Sequence, residues 1–252
     1  MDLKGKRALV TGGGRGIGAA VARALAARGA EVVITGRSRA HLDEVAGSIG
    51  GRAMVCDLGD RAATDAMLAA LASIGRVDVL VNNAGIAESA PLAAIDDAMW
   101  DRIMELDATA PFRLTRALAP AMIAAGWGRL ITIASNAGLT GYGYSAAYCA
   151  AKHAVVGLTR ALAVDLGRTG VTINAVCPGW VDTDMAAAAV ARIAGKTGRD
   201  ADSARGALTG MSPQRRLIAP AEVAHAVTML CSEGARGIHG QTIVIDGGQV
   251  LK

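Results

Sequence analysis

Aromatic residues are scarce in this chain: one phenylalanine, three tryptophans and three tyrosines among 252 residues. A core so short of rings has to be built from Ala, Val, Leu and Ile, which lets helices and sheet approach closely. The scarcity also removes the stacking platform that a nucleic-acid binder interleaves with its basic residues, and the Lys and Arg here are dispersed rather than clustered. Paired cysteine spacing is missing too. Cys56, Cys149, Cys177 and Cys231 form no CxxC, the pattern of a reducing compartment without disulfides or zinc. His41, His153, His225 and His239 are too scattered for a metal site. No apolar run approaches the roughly 18 residues that span a bilayer, and the opening MDLKGKRALVTGGG lacks the apolar core of a signal peptide. A cytoplasmic protein with no nucleic-acid or membrane partner is expected.

Hydrophobic residues nevertheless make up 52% of the chain, and its net charge of +4 is mild. Short β-branched runs alternate with longer Ala/Leu-rich segments. The runs RALVTG, EVVITG, RAMVCD, VDVLVNN, RLITIAS, VTINAVCPG and TIVIDGG read as strands, and GIGAAVARALAARG, DRAATDAMLAALASIG, AAYCAAKHAVVGLTRALAVDLG and APAEVAHAVTMLCSEG as helices. Continuous apolar strands alternating with helices predict a parallel sheet covered on both faces. The fold class is therefore α/β, a single doubly wound Rossmann-type domain over 1–252 with about seven strands. One segment breaks the rhythm: 183–220 contains no strand, one expected helix and many basic residues, and reads as a lid or binding loop.

In open parallel sheets, ligands bind outside the carboxyl ends of the strands. Directly after the first strand comes TGGGRGIG, placing Gly12, Gly14, Arg15, Gly16, Ile17 and Gly18 between strand and helix. Its spacing differs from G-x-G-x-x-G, but the physics is shared: glycines permit a tight turn and close backbone approach, and helix N-terminal amides then face a pyrophosphate. An NAD site usually ends its second strand in Asp or Glu to hold the ribose 2′-hydroxyl. That strand here ends in Gly36 and Arg37. Arg37 and Arg15 are expected to converge on a 2′-phosphate, which planar guanidinium suits, so NADP(H) is expected over NAD(H). Asp57 and Leu58 follow the third strand, where Asp57 can accept from an adenine amino group. The fourth strand ends in NNAG, so that Asn83, Ala84 and Gly85 pass beside the cofactor; for Asn82 and Asn83 a turn-forming role stands equally open.

All three tyrosines lie within GYGYSAAYCAAKHAVVG, at 142, 144 and 148. Only Tyr148 has a lysine four positions on. On a helix that spacing sets Lys152 beside the phenol, and a neighbouring ammonium favours the phenolate. Lowering a phenol from its usual value near 10 by about 3 units takes about 4 kcal/mol, within reach of an adjacent cation together with a positive nicotinamide ring. Tyr148 is thus a candidate acid/base near neutral pH. Ser135 ends the fifth strand 13 residues earlier, where its hydroxyl can bind the same substrate oxygen.

TGGGRGIG, NNAG, Ser135, YCAAK, PGWVDT and the terminal DGG, in this order, resemble the short-chain dehydrogenases/reductases, and the resemblance covers the whole chain. It implies that Tyr148 donates or accepts the proton, that Lys152 binds the nicotinamide ribose and lowers the pKa of Tyr148, and that Ser135 orients the carbonyl. Pro178, Gly179, Val181 and Thr183 would line the nicotinamide side. The family is usually homotetrameric, packed through two long helices and the C-terminal strand. One position departs from the pattern. Where the family commonly carries Asn, 28 residues before Ser135, this chain has Asp107; paired with Lys152, it would weaken that cation's effect on Tyr148 and shift the pH optimum.

GWGRLITIAS and AVCPGWVDTDM are similar to 3-oxoacyl-thioester and polyketide ketoreductases of the family. The expected activity is reversible hydride transfer between NADP(H) and a carbonyl, with a 3-oxoacyl thioester of CoA or a carrier protein as substrate. Asn136, Leu139, Tyr142, Trp180 and Met185, with Ser135, are the expected substrate residues. Arg192, Lys196, Arg199, Arg205, Arg215 and Arg216 are candidates for thioester-arm phosphates or for plain solvated charge. The alternatives are a dehydrogenase of a small alcohol or polyol, and a nucleotide-sensing module that kept the fold without catalysis.

Overall fold

All seven expected strands form, and they form one parallel sheet. The computed structural model describes residues 2–250. Among these the sheet order is β3-β2-β1-β4-β5-β6-β7, with β1 Arg7–Thr11, β2 Glu31–Gly36, β3 Arg52–Val55, β4 Val79–Asn82, β5 Gly128–Ile133, β6 Val171–Pro178 and β7 Thr242–Ile245. The helices are α1 Gly16–Ala26, α2 Arg39–Ile49, α3 Arg61–Ser73, α4 Asp97–Met104, α5 Ala110–Ala124, α6 Ala146–Leu166, α7 Asp184–Thr197, α8 Ala201–Thr209 and α9 Pro220–Leu230. A π turn, Glu105–Thr109, joins α4 to α5.

Strand alternation divides the core into two layers. Ala8, Val10, Val79, Val81, Ile131 and Ile133 face α1, α2 and α9, while Leu9, Leu80 and Leu130 face α3, α5 and the end of α6. Every residue of β4, β5 and β6 is buried, so these strands have no solvent face, which is why their sequences carry apolar runs rather than alternation. A one-residue slip would exchange the two layers, and this fixes the register. From β1 the chain builds one way through β2 and β3, then the other way through β4 to β7. The crevice therefore opens beyond the carboxyl ends of β1 and β4, where the chain direction switches.

The segment 183–220 holds two helices, not the one expected. Asp200 caps α8, its carboxylate accepting the Ser203 N–H at 2.8 Å and the Ser203 hydroxyl at 2.9 Å, and Gly198 at φ +70° turns the chain out of α7. Ala186, Ala189, Leu208 and Leu217 make a small core of their own with Trp180 against it. Its two ends are joined at the base by a parallel bridge between Val181 and Ile218.

Helix α9, which lies against α1, starts at Ala219, a residue with no side-chain acceptor to offer its first turn. Glu222 does half of the capping instead. Its carboxylate accepts the Ala219 N–H at 2.7 Å and is held by Arg216 at 2.6 and 2.7 Å. Those contacts bring its pKa down from 4.5 to about 2, the Arg216 hydrogen bonds first and the Ala219 N–H second. Glu222→Ala is expected to cost about 1 kcal/mol and so lower the thermal midpoint by about 2–4 °C. Because folding lowers this pKa, the contribution is present above 4.5 and fades as pH falls towards 2. The difference in midpoint between wild type and variant should therefore close in acid; a gap that persists there would deny the carboxylate this role.

Candidate active site

The glycine loop between β1 and α1 is clamped to the end of β4. The Thr11 hydroxyl accepts the N–H groups of Asn83 and Ala84 at 2.8 and 2.9 Å, and the Asn83 carboxamide donates to the carbonyls of Thr11 and Gly12 at 2.8 and 3.2 Å. Asn83 thus braces the loop. A Cβ at Gly18 would sit 2.2 Å from the Gly12 carbonyl oxygen, so only glycine lets the loop fold onto the start of α1. Ile17 packs on the core and Gly14 lies against His41. No side chain caps α1, and its first-turn amides are left as donors, an arrangement that fits the pyrophosphate of a dinucleotide.

Arg37 is exposed just past β2, and Arg15 pairs with Asp184 of α7 at 3.2 Å, an exposed contact between the glycine loop and the lid. Asp57 is exposed beyond β3 with one oxygen accepting the Gly59 N–H at 3.0 Å, and Leu58 beside it is buried.

Three elements bring the reactive groups together. Ser135 follows β5 and starts a short turn, its Oγ accepting the Ala137 N–H at 3.1 Å; the same hydroxyl is hydrogen-bonded to the Tyr148 phenol. Tyr148 and Lys152 share one face of α6, with Nζ 5.5 Å from the ring centre. Lys152 is buried and donates to the Ile133 carbonyl at 3.3 Å. The π turn then sets Asp107 on the far side of the lysine, Oδ2 3.2 Å from Nζ, while Oδ1 accepts the Ile86 N–H at 2.8 Å. Gly85 makes room for this carboxylate, since a Cβ there would lie 3.1 Å from Oδ2.

The two buried charges act on the phenol in opposite directions. Burial pushes the Tyr148 phenol above its ordinary value; Lys152 draws it down, and Asp107 pushes it up again. Burial disfavours the Lys152 charge, but Asp107 first and Tyr148 second outweigh it and hold the ammonium above its usual range. The Asp107 carboxyl is itself raised, by burial, against the pull of Lys152 and the Ile86 N–H. Lysine at helical spacing is present as expected and draws the tyrosine down, but burial first, with Asp107 added, outweighs it in the protein alone.

The expected substrate residues divide. Tyr142 is half-buried with its hydroxyl accepting from Gln249 at 2.8 Å, and burial, then Asp246, raise its pKa to about 12. Leu139 packs beside Ala134 and Val155. Met185 is exposed on the first turn of α7. Asn136 is buried and donates to Asp246 at 3.3 Å, held by the C-terminal loop. Trp180 packs under α7 and α8. On the cofactor side, the Gly179 N–H donates to Ile245 at 3.0 Å, where Pro178 ends the buried β6. Val181 is buried in the base of the lid, and the Thr183 methyl would lie 3.2 Å from a Cβ at Gly16, beside the glycine loop.

Of the lid cations, Arg192 donates to Ser89 at 3.0 Å, Arg205 pairs with Asp182 and Arg216 with Glu222. Gln249 was not anticipated. It touches Tyr142 and lies near Met211 and Gly179, and nothing in its local sequence marks it.

Comparison with known proteins agrees with this geometry. A family described as enoyl-(acyl carrier protein) reductase matches residues 12–249. The 3-oxoacyl-[acyl-carrier-protein] reductase FabG of Escherichia coli (strain K12) is 37% identical over 254 residues, covering 100% of both chains. The D-beta-hydroxybutyrate dehydrogenase of Cupriavidus necator is 36% identical, covering 99% of this chain and all of that one. Among solved structures, a variant of the actinorhodin polyketide ketoreductase with NADPH superposes with a TM-score of 0.93 at 36% identity, covering 97% of each chain.

The clamp and the close approach at Gly18 lead to a direct test. Gly18→Ala should weaken NADPH and NADH alike, by about tenfold or more, as loss of one or two amide–phosphate hydrogen bonds would. Nicotinamide fluorescence titrations measure this, with circular dichroism confirming that the variant is folded; unchanged affinity in a folded variant would mean that the loop does not hold the cofactor.

Proposed function

The chain belongs to the short-chain dehydrogenase/reductase family, and from that footing we propose that it reduces 3-oxoacyl thioesters, on CoA or a carrier protein, to the 3-hydroxyacyl form with NADPH. The observation that carries the reading is the contact set of Ser135, Tyr148 and Lys152 at the carboxyl edge of β5, beside the glycine loop. Full-length similarity to 3-oxoacyl-[acyl-carrier-protein] reductase supports the substrate class, and the absence of an acid at the end of β2, with Arg37 there instead, supports the phosphorylated nucleotide.

When bound, the dinucleotide supplies a hydride. The chain does the rest. Ser135 hydrogen-bonds the substrate carbonyl and orients it. Tyr148 gives its Oη proton to the same oxygen as the carbon is reduced, and Lys152, fixed by the Ile133 carbonyl and Asp107, holds the ribose. Glycine-loop amides hold the pyrophosphate, Arg37 takes the 2′-phosphate, and Asp57 the adenine amino group. Tyr142, Leu139 and Met185 line the acyl side.

A second reading rests on the similarity to D-beta-hydroxybutyrate dehydrogenase: oxidation of a small 3-hydroxy acid at the same site. For assembly, a homotetramer is the supported form. The outer face of α5 and α6 carries an apolar groove of about 260 Å³ lined by Phe112, Ala154 and Leu158, and Val244 of β7 is exposed as well.

NADPH oxidation with acetoacetyl-CoA, run beside NADH and 3-hydroxybutyrate oxidation, tests the reading. Turnover with NADPH that Tyr148→Phe abolishes is expected. Arg37→Ala should raise KM for NADPH about tenfold or more, the value of a charge-assisted hydrogen bond, and leave NADH unchanged. Turnover confined to the hydroxy acid would transfer the assignment to the second reading. For the assembly, Phe112→Asp should reduce the mass seen by light scattering, and an unaltered mass would exclude this face from the interface.

A further inference from the structure

The buried pair beside the phenol has a consequence for the pH range of catalysis, and it rests on the carbonyl-reductase reading above. We propose that Asp107 is a positioning residue that weakens the field of Lys152 at the Tyr148 phenol, keeping it protonated to higher pH and so setting the pH limits within which each direction runs.

The geometry is that of a closed charge pair. The Asp107 side chain is 0% exposed and that of Lys152 6%, with 3.2 Å between Oδ2 and Nζ. Oδ2 has no hydrogen-bond partner of good geometry among the described residues, so what holds it is the charge of the ammonium. With both side chains buried, bulk solvent screens the pair little. An ammonium alone in this position would favour the phenolate. An ammonium with a carboxylate on its far side presents a dipole instead of a charge, and the desolvated phenol stays protonated.

The other groups around the three do not alter the balance. Tyr148 meets Ser135 and Cys149 besides the pair. Lys152 also meets Cys177, whose thiol burial raises to about 11 and which is therefore neutral at physiological pH; Arg160 and Asp246 act on that thiol rather than on Tyr148, Lys152 or Asp107. Asp107 meets Lys152 and the Ile86 N–H.

Reduction needs the phenol. As hydride reaches the carbonyl carbon, the C=O π pair becomes a bond from oxygen to the Tyr148 proton, and the tyrosinate left behind regains its proton from solvent. Oxidation needs the tyrosinate, which takes the hydroxyl proton as hydride leaves. The kcat/KM of each direction follows the fraction of free enzyme in the required form. A phenol kept neutral by Asp107 extends reduction to alkaline pH and confines oxidation to it. The equilibrium of the overall reaction is untouched; what changes is the pH range in which each direction is fast.

Two measurements decide. The ultraviolet absorbance of tyrosinate, followed against pH for wild type and for Asp107→Asn, each minus its Tyr148→Phe counterpart, needs no substrate. Tyr148 should ionise above the ordinary value of 10.0 in wild type, and about 1 unit or more lower in Asp107→Asn, the size of a neighbouring-charge effect. With whichever ketone–alcohol pair the enzyme turns over, the falling limb of reduction and the rising limb of oxidation should move down together. Coincident titrations, or kinetic limbs that move while the tyrosinate signal does not, would overturn the assignment. If Asp107→Asn fails to fold, wild type still decides: a Tyr148 phenolate appearing below the ordinary value refutes it. Inactivity towards acetoacetyl-CoA with the shift in titration present would instead count against the substrate class alone.

Discussion

The contact between Asp107 and Lys152 joins the parts of the molecule that meet at the reactive centre. Through it the π turn, helix α6 and the backbone leaving β4 at Ile86 are held to one another, and Lys152 adds the end of β5 through the Ile133 carbonyl. Burying two charges costs several kcal/mol each, and their attraction offsets that only when the geometry is good and the remaining lone pairs are engaged. Here one Asp107 oxygen is engaged and the other is not. Such a pair is a poor source of stability, and its presence is better explained by what it does to the phenol. The π turn belongs to the same account: such turns are rare and concentrate at functional sites, and this one carries the carboxylate.

Around that centre the binding surface is assembled from parts of unequal firmness. The glycine loop is fastened by four hydrogen bonds to the end of β4, all within the sheet's rigid edge. The lid is fastened differently. Arg15 with Asp184 and Arg205 with Asp182 are exposed pairs, each worth about 0–1 kcal/mol and screened by salt. Its firm attachment is the bridge at Val181 and Ile218, and α7 and α8 share a small core of their own. The Arg15 contact also ties the lid to the glycine loop.

How much of this was legible in the sequence follows from the range of the interactions concerned. The strands were readable because burial on both faces makes each one an apolar run. Lys152 beside Tyr148 was readable because helical spacing is local. The second lid helix was not, since DADSARGALTG offers only Ala204 and Leu208 as a short apolar pair and its start depends on one capping aspartate. The partner of Arg15 lies 169 residues away, and that of Asn136 lies 110 residues away; no local pattern announces either. Spacing and the family resemblance named Lys152 and Asp107 as neighbouring charges, but the desolvation that dominates at Tyr148 is a property of the folded interior.

The three tyrosines that stand so close together turn out to be doing three different things. Tyr148 sits between Ser135 and Lys152 on α6. Tyr142, six residues earlier and ahead of the helix, is held by Gln249 with its hydroxyl neutral far above physiological pH. Tyr144 is 70% exposed, with φ +61°, a left-handed conformation that costs a non-glycine residue about 1–2 kcal/mol. Its carbonyl accepts the Ala90 N–H at 2.9 Å, so the turn that delivers α6 is braced against the segment following β4. The strain lies at the entrance to the catalytic helix and is met by a contact from the same stretch of chain, just past Ile86, that also meets Asp107. Position of the phenol and its protonation are thus governed from one stretch of backbone.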